Sequence, residues 1–103
     1  LLLIIDRNRK CMLDYCNNVI NLEPLDKKFK TFGWKAKVVK DGHNIEELYY
    51  SLKEIKEDDE KSPKVLIAYT IKGKGVPQLE KDVRCHVRML YEHEIDKIIK
   101  QLS

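Results

Sequence analysis

At 103 residues, with 43% hydrophobic and 36% charged side chains, the chain is the size of one small folded domain with a modest core, not a disordered segment. Its net charge of +3 is spread over interleaved lysines and glutamates, without the basic stripe that nucleic-acid backbones require, so no nucleic-acid partner is expected. The amino-terminal apolar run is too short for a bilayer and has neither a basic segment before it nor a small-residue cleavage site after it, so neither membrane insertion nor secretion is expected.

Leu1-Leu2-Leu3-Ile4-Ile5 is apolar without alternation, the pattern of a strand covered on both faces in a parallel sheet. A chain that opens inside such a strand reads as part of a larger unit. The run delivers Asp6, Arg7, Asn8, Arg9 and Lys10 at its carboxyl end, where open parallel sheets place their ligands. From Lys10 to Asn21 no clean period exists, which predicts a long loop.

Pro24 suits a first helical position, and Leu25, Phe29 and Phe32 follow at helical spacing until Gly33 stops the helix. Trp34, Ala36 and Val38 alternate with Lys35 and Lys37, a strand nearer a sheet edge. Asp41-Gly42 makes a turn. Asn44 with Glu47 forms a capping box that opens a helix with Ile45, Leu48, Tyr49, Leu52 and Ile55 on its apolar face. Lys56 to Lys64 is a solvated loop. Val65 to Thr70 is a second unbroken apolar run and predicts a central buried strand. After a loop from Ile71 to Leu90, Ile95, Ile98, Ile99 and Leu102 mark a last helix, acidic early and basic late. The expected fold is α/β, one partial domain over residues 1–103: a partial parallel sheet with flanking helices and right-handed βαβ crossovers.

Several residues could carry chemistry, and each also has an ordinary reading. Lys72-Gly73-Lys74-Gly75 follows the central strand; it is either a solvated turn or a phosphate-binding one, and it lacks the ending of a nucleotide P-loop. Asn8 is a turn residue or cap, or an amide-oxygen ligand to a hard cation. Asp6 is expected to pair with a lysine or a backbone amide. Cys11, Cys16, Cys85 and His86 have the types of a zinc site but looser spacing than a knuckle. His86 is a surface histidine or a hydrogen-bond donor to an anion. His43 suits a turn or cap, His93 a solvated helix face, and Tyr49, Tyr50 and Tyr91 core or rim packing. Three cysteines make no disulfide framework, so free thiols in a reducing cytoplasm are expected.

Taken together, Leu3-Ile4-Ile5-Asp6-Arg7-Asn8, Asn21-Leu22-Glu23-Pro24-Leu25 with Phe32-Gly33-Trp34, Asp41-Gly42-His43-Asn44-Ile45-Glu46 and Thr70-Ile71-Lys72-Gly73-Lys74-Gly75-Val76 resemble transketolase. The resemblance is to the latter part of its thiamine diphosphate-binding N-terminal domain, or of the N-terminal subunit of a split transketolase, and it covers nearly the whole chain. It implies a fragment of a thiamine diphosphate-binding fold in an enzyme that transfers a two-carbon ketol unit between sugar phosphates. By position it makes Asn8 a side-chain ligand of Mg²⁺ or Ca²⁺ and gives Lys10 a ligating backbone carbonyl. It sets Lys72 near the diphosphate and His86, in Cys85-His86-Val87 where the family commonly has Trp-His-Gly, beside cofactor and substrate. The carboxylate ligand would come from a Gly-Asp-Gly segment ahead of Leu1, and the activating glutamate from a pyrimidine-binding domain or partner subunit, in a homodimer or heterotetramer. The isolated chain is therefore expected to bind cofactor weakly and to be inactive. Two other readings are a non-catalytic remnant or interaction module that pairs its open sheet edge with a partner, and a small zinc-binding domain.

Overall fold

Val65, Leu66, Ile67 and Ala68 are buried because the strand they form has a neighbour on each side. The computed structural model describes residues 1–103. In chain order its elements are β1 (Leu2–Arg7), β2 (Lys10–Cys11), β3 (Asp14–Tyr15), α1 (Cys16–Val19), α2 (Leu25–Thr31), β4 (Lys35–Val39), α3 (Ile45–Glu57), β5 (Lys64–Tyr69), α4 (Pro77–Glu80) and α5 (Glu92–Leu102). They fall into two compact units, the first Leu1–Asn8 with Leu22–Thr70, the second Arg9–Asn21 with Ile71–Ser103.

The first unit is a parallel sheet in the order β1-β5-β4, with helices between its strands in sequence, the α/β arrangement expected. β5 is central and β4 an edge, also as expected. The expectation for the first run needs correction: β1 is the opposite edge, and Ile4 is 56% exposed. An unbroken apolar run reports an apolar strand, but whether both faces are covered depends on neighbours that the run does not specify.

The end of α2 is built from local chemistry. Gly33 has φ +84°, its N–H donates to the Lys30 carbonyl at 3.0 Å, and the Trp34 N–H donates to the Phe29 carbonyl at 3.0 Å. These are the two bonds of a Schellman motif, and its usual apolar contact is present as Phe29 against Trp34, edge to face with centroids 5.3 Å apart. Phe32 therefore lies outside the packed face, 82% exposed, contrary to what its spacing predicts. Pro24 is the N-cap, one residue before the helix, not its first residue.

At α3 the Asn44 Oδ1 accepts the Glu47 N–H at 3.1 Å, but the predicted capping box is only half made, since the Asn44 N–H donates to the Asp41 carbonyl at 3.1 Å. Glu47 accepts the Lys40 N–H at 3.1 Å, which ties the end of β4 to the helix start. Ser51 and Ile55 are buried, and Leu48 and Leu52 pack on Val39, Leu66 and Ala68. Ile45 and Tyr49 are exposed, so the packed stripe is narrower than the periodicity suggested. Gly42 stands where a Cβ would lie 2.7 Å from Thr70 Cγ2 and 2.8 Å from the Tyr69 carbonyl oxygen, to which its own N–H donates at 2.7 Å.

In the second unit, the stretch expected to be a long loop holds a small antiparallel hairpin, Lys10 opposite Tyr15 and Cys11 opposite Asp14, followed by the single turn α1. Two-residue strands are too short to generate a period that sequence reading can detect. The following stretch, also expected to be loop, contains α4 with Pro77 in its first turn. In α5 Ile98 is buried, and the Tyr91 N–H donates to Glu94 at 2.9 Å. Tyr49, Tyr50 and Tyr91 are exposed, not core. No helix is long and apolar enough to cross a membrane.

Candidate functional site

Parallel pairing brings the carboxyl ends of β1 and β5 together, with Asp6 beside Ala68 and Arg7 beside Tyr69. The Thr70 hydroxyl donates to the Asp6 carboxylate, and the Thr70 N–H to the Arg7 carbonyl at 3.2 Å. Asp6 thus takes a hydroxyl, where a lysine or backbone amide was expected. Arg7, 5% exposed, donates through Nε to Glu23 at 3.1 Å, and the Tyr69 hydroxyl donates to the other Glu23 oxygen at 3.0 Å. Burial raises the Glu23 pKa, but the bonds from Tyr69, the Leu25 N–H and Arg7, with the charge of Arg7, outweigh it and hold the carboxyl below its ordinary range. Asn8, half-buried, follows directly on this fastened strand end. The Arg7–Glu23–Tyr69 network was not read from the sequence, since its members are 16 and 46 residues apart and no local pattern links them.

The other three candidates belong to the second unit. Lys72 Nζ lies 2.8 Å from His86 Nδ1, so the basic glycine turn and the histidine, separate in the sequence, form one contact. The turn is shaped by Gly73 at φ +83°, where a Cβ would sit 2.8 Å from Leu79 Cβ. The Gly75 N–H donates to the Glu80 carboxylate at 3.0 Å. Lys10, expected to act through its carbonyl, has a side chain with a clear role: its ammonium donates to the carbonyls of Glu80 at 2.6 Å, Asp82 at 3.0 Å and Leu79 at 3.4 Å. Nothing in the spacing of residue 10 and residues 79–82 signals this. Beyond them Arg88 bridges Asp82 and Glu94. The hydrogen bond from the Arg84 N–H comes first, and those from Arg88 follow, in keeping the Asp82 carboxyl below its ordinary range.

An ammonium, an imidazole N–H and a glycine turn suit the oxygens of a diphosphate, so the Lys72–His86 pair fits that group. For a divalent cation the set is short of charge: the Asn8 amide and the Lys10 carbonyl are neutral oxygens, and no group of three or more His, Cys, Asp or Glu side chains is gathered that could hold a metal ion. The same donor shortage counts against the zinc reading, as Cys11, Cys16 and Cys85 are free thiols. An open groove lined by Tyr49, Leu52, Lys53, Lys56 and Glu57 contains none of the candidate residues.

The family described as transketolase, thiamine diphosphate binding domain, matches residues 1–103. The chain is 33% identical over 98 residues to the 6-deoxy-6-sulfo-D-fructose transketolase subunit of Clostridium sp. (strain MSTE9), covering 95% of this chain and 35% of that one. It is 28% identical over 103 residues to an apulose-4-phosphate transketolase subunit of Phocaeicola vulgatus, covering all of this chain and 36% of that one. Against the transketolase of Homo sapiens it is 30% identical over 102 residues, covering 99% of this chain and 16% of that enzyme. It thus spans about a third of the two bacterial proteins and a smaller share of the human enzyme. With an α/β unit whose central strand leads into the Lys72 turn, and a match over every residue, the chain belongs to the transketolase family, in its thiamine diphosphate-binding domain.

Proposed function

We propose that this chain forms part of a thiamine diphosphate-dependent transferase that moves a two-carbon ketol unit between sugar phosphates. The observation that carries the reading is the Lys72–His86 contact, which gathers two donors at the glycine turn of a chain matched in full by the family. Thiamine diphosphate, when bound, supplies the carbanion chemistry. Lys72 offers positive charge to the diphosphate. Because an ammonium only donates, His86 accepts at Nδ1 and carries its proton on Nε2, where it can donate to cofactor or substrate oxygen. The Asn8 amide and the Lys10 carbonyl would each offer a neutral oxygen to Mg²⁺ or Ca²⁺, and a carboxylate from elsewhere in the enzyme would have to supply the charge.

The relatives named as subunits support a split enzyme with a partner subunit. A pyrimidine-binding part on that partner would give a heterotetramer, and one on the same polypeptide a homodimer. Free cysteines accord with work in the cytoplasm. A second reading, an interaction module without catalysis, is favoured by the exposed Leu3 and Ile4 on the β1 edge.

Calorimetry with thiamine diphosphate and Mg²⁺ tests the proposal. The expected result is little or no binding by the chain alone and saturable binding by the assembled enzyme, weakened by Lys72→Ala or His86→Ala. Micromolar binding by the chain alone overturns the incompleteness of its site. An assembled enzyme that binds no cofactor overturns the reading in favour of the interaction module.

A further inference from the structure

We propose that the Lys10 side chain is a positioning residue that holds Lys72 and His86 in register; the inference rests on the reading of those two residues as the diphosphate-facing pair. Its ammonium directs its donors to the carbonyls of Leu79, Glu80 and Asp82, at 3.4, 2.6 and 3.0 Å. These carbonyls belong to the last turn of α4 and the bend beyond it, where those of Leu79 and Asp82 also accept the Asp82 and Cys85 N–H groups at 3.2 and 3.3 Å and a cation is favoured.

Two arms leave this point. One runs backward: the Cβ position of Gly73 lies 2.8 Å from Leu79 Cβ and 3.0 Å from the Leu79 carbonyl carbon, and the Gly75 N–H donates to the Glu80 carboxylate at 3.0 Å. The turn beginning at Lys72 is thereby seated on the segment that Lys10 grips. The other runs forward: the Asp82 carbonyl that accepts from Lys10 also accepts the Cys85 N–H at 3.3 Å, and the Asp82 carboxylate accepts the Arg84 N–H at 2.8 Å. His86 comes next. One cation thus fastens both ends of the loop whose side chains meet at 2.8 Å. The contact is a charge-assisted bond to three backbone oxygens, so a neutral side chain of similar length keeps the packing and loses the grip.

The test uses the full chain and the His86 ring nitrogens, followed by long-range proton–nitrogen NMR. In the unsubstituted chain the Lys10 ammonium is expected to be protected from exchange and His86 to carry its proton on Nε2. Lys10→Met is expected to return His86 to a tautomer mixture and, in the assembled enzyme, to raise the inorganic pyrophosphate needed for half-shift of the Lys72 and His86 signals about tenfold, the scale of losing a supporting hydrogen bond. Lys10→Arg is expected to restore the Nε2 tautomer. A Lys10→Met chain with unchanged His86 signals overturns the inference, and so does a rapidly exchanging Lys10 ammonium in the unsubstituted chain, which needs no variant to fold. Signals of Lys72 and His86 that ignore pyrophosphate in the assembled enzyme overturn the diphosphate reading alone, and the tautomer in the unsubstituted chain still decides the role of Lys10.

Discussion

Lys72 and His86, fourteen residues apart, meet at 2.8 Å between Nζ and Nδ1. The geometry makes the histidine an acceptor on one side and a donor on the other. Replacing the lysine by methionine keeps the stem and removes the donor. In the assembled enzyme Lys72→Met is expected to weaken thiamine diphosphate binding about tenfold or more, as for loss of a bond from a charged donor. Calorimetry of the two enzymes measures it, and equal affinities would remove Lys72 from the diphosphate site.

Glu23 gives the first unit a pH dependence. Burial alone would raise its pKa, but hydrogen bonds from Tyr69, Leu25 and Arg7 hold it below the ordinary 4.5. A carboxyl whose pKa is lowered by folding contributes stability above its unfolded value, and that stability drains away as pH falls through the folded value. Urea midpoints should therefore be level from neutral pH down to the ordinary value and decline below it. Glu23→Gln is expected to cost about 1–3 kcal/mol at neutral pH, because a buried guanidinium loses its carboxylate, and to flatten the acid decline. An unchanged acid limb in the variant would assign the decline to other carboxyls.

Two glycines are expected to resist alanine for different reasons. At Gly42 the new methyl would meet Thr70 Cγ2 and the Tyr69 carbonyl within 2.8 Å, so the β5 end must move. At Gly73 the backbone has φ +83°, which costs a side-chain-bearing residue about 1–2 kcal/mol before the contact with Leu79 is counted. Gly33→Ala is the control: it shares the positive φ but has nothing within 4 Å, and should cost less than Gly73→Ala. Thermal midpoints of the three variants rank them.

In the core, Leu66 is fully buried at the centre of the sheet, and Leu66→Ala is expected to cost about 2–5 kcal/mol. Asn44→Ala removes only a cap, and about 1 kcal/mol is expected. Denaturant unfolding with an unchanged slope checks both values, and a cap loss as large as the core loss would mean that Asn44 does more than begin α3.

Local chemistry was legible and long-range pairing was not. The Asn44 cap and the Gly33 stop each involve residues within a few positions, so a short window holds all their partners. The same window holds Lys72 and the glycines but not His86, and it holds Lys10 but not the carbonyls of residues 79–82. The hairpin at Lys10–Tyr15 was invisible for another reason, since strands of two residues have no period.

What the sequence determined by itself is the class and the family: apolar runs and amphipathic helices alternate as a parallel α/β unit must, and motifs in order identify the transketolase relationship. Only the tertiary structure decided that Glu23 is the partner of Arg7 and Tyr69, and that the Lys10 ammonium grips the segment between Lys72 and His86. The division has a physical cause. Hydrophobic patterning and caps act over one turn or one strand, whereas a charged side chain takes whichever partner the folded backbone brings within about 3 Å.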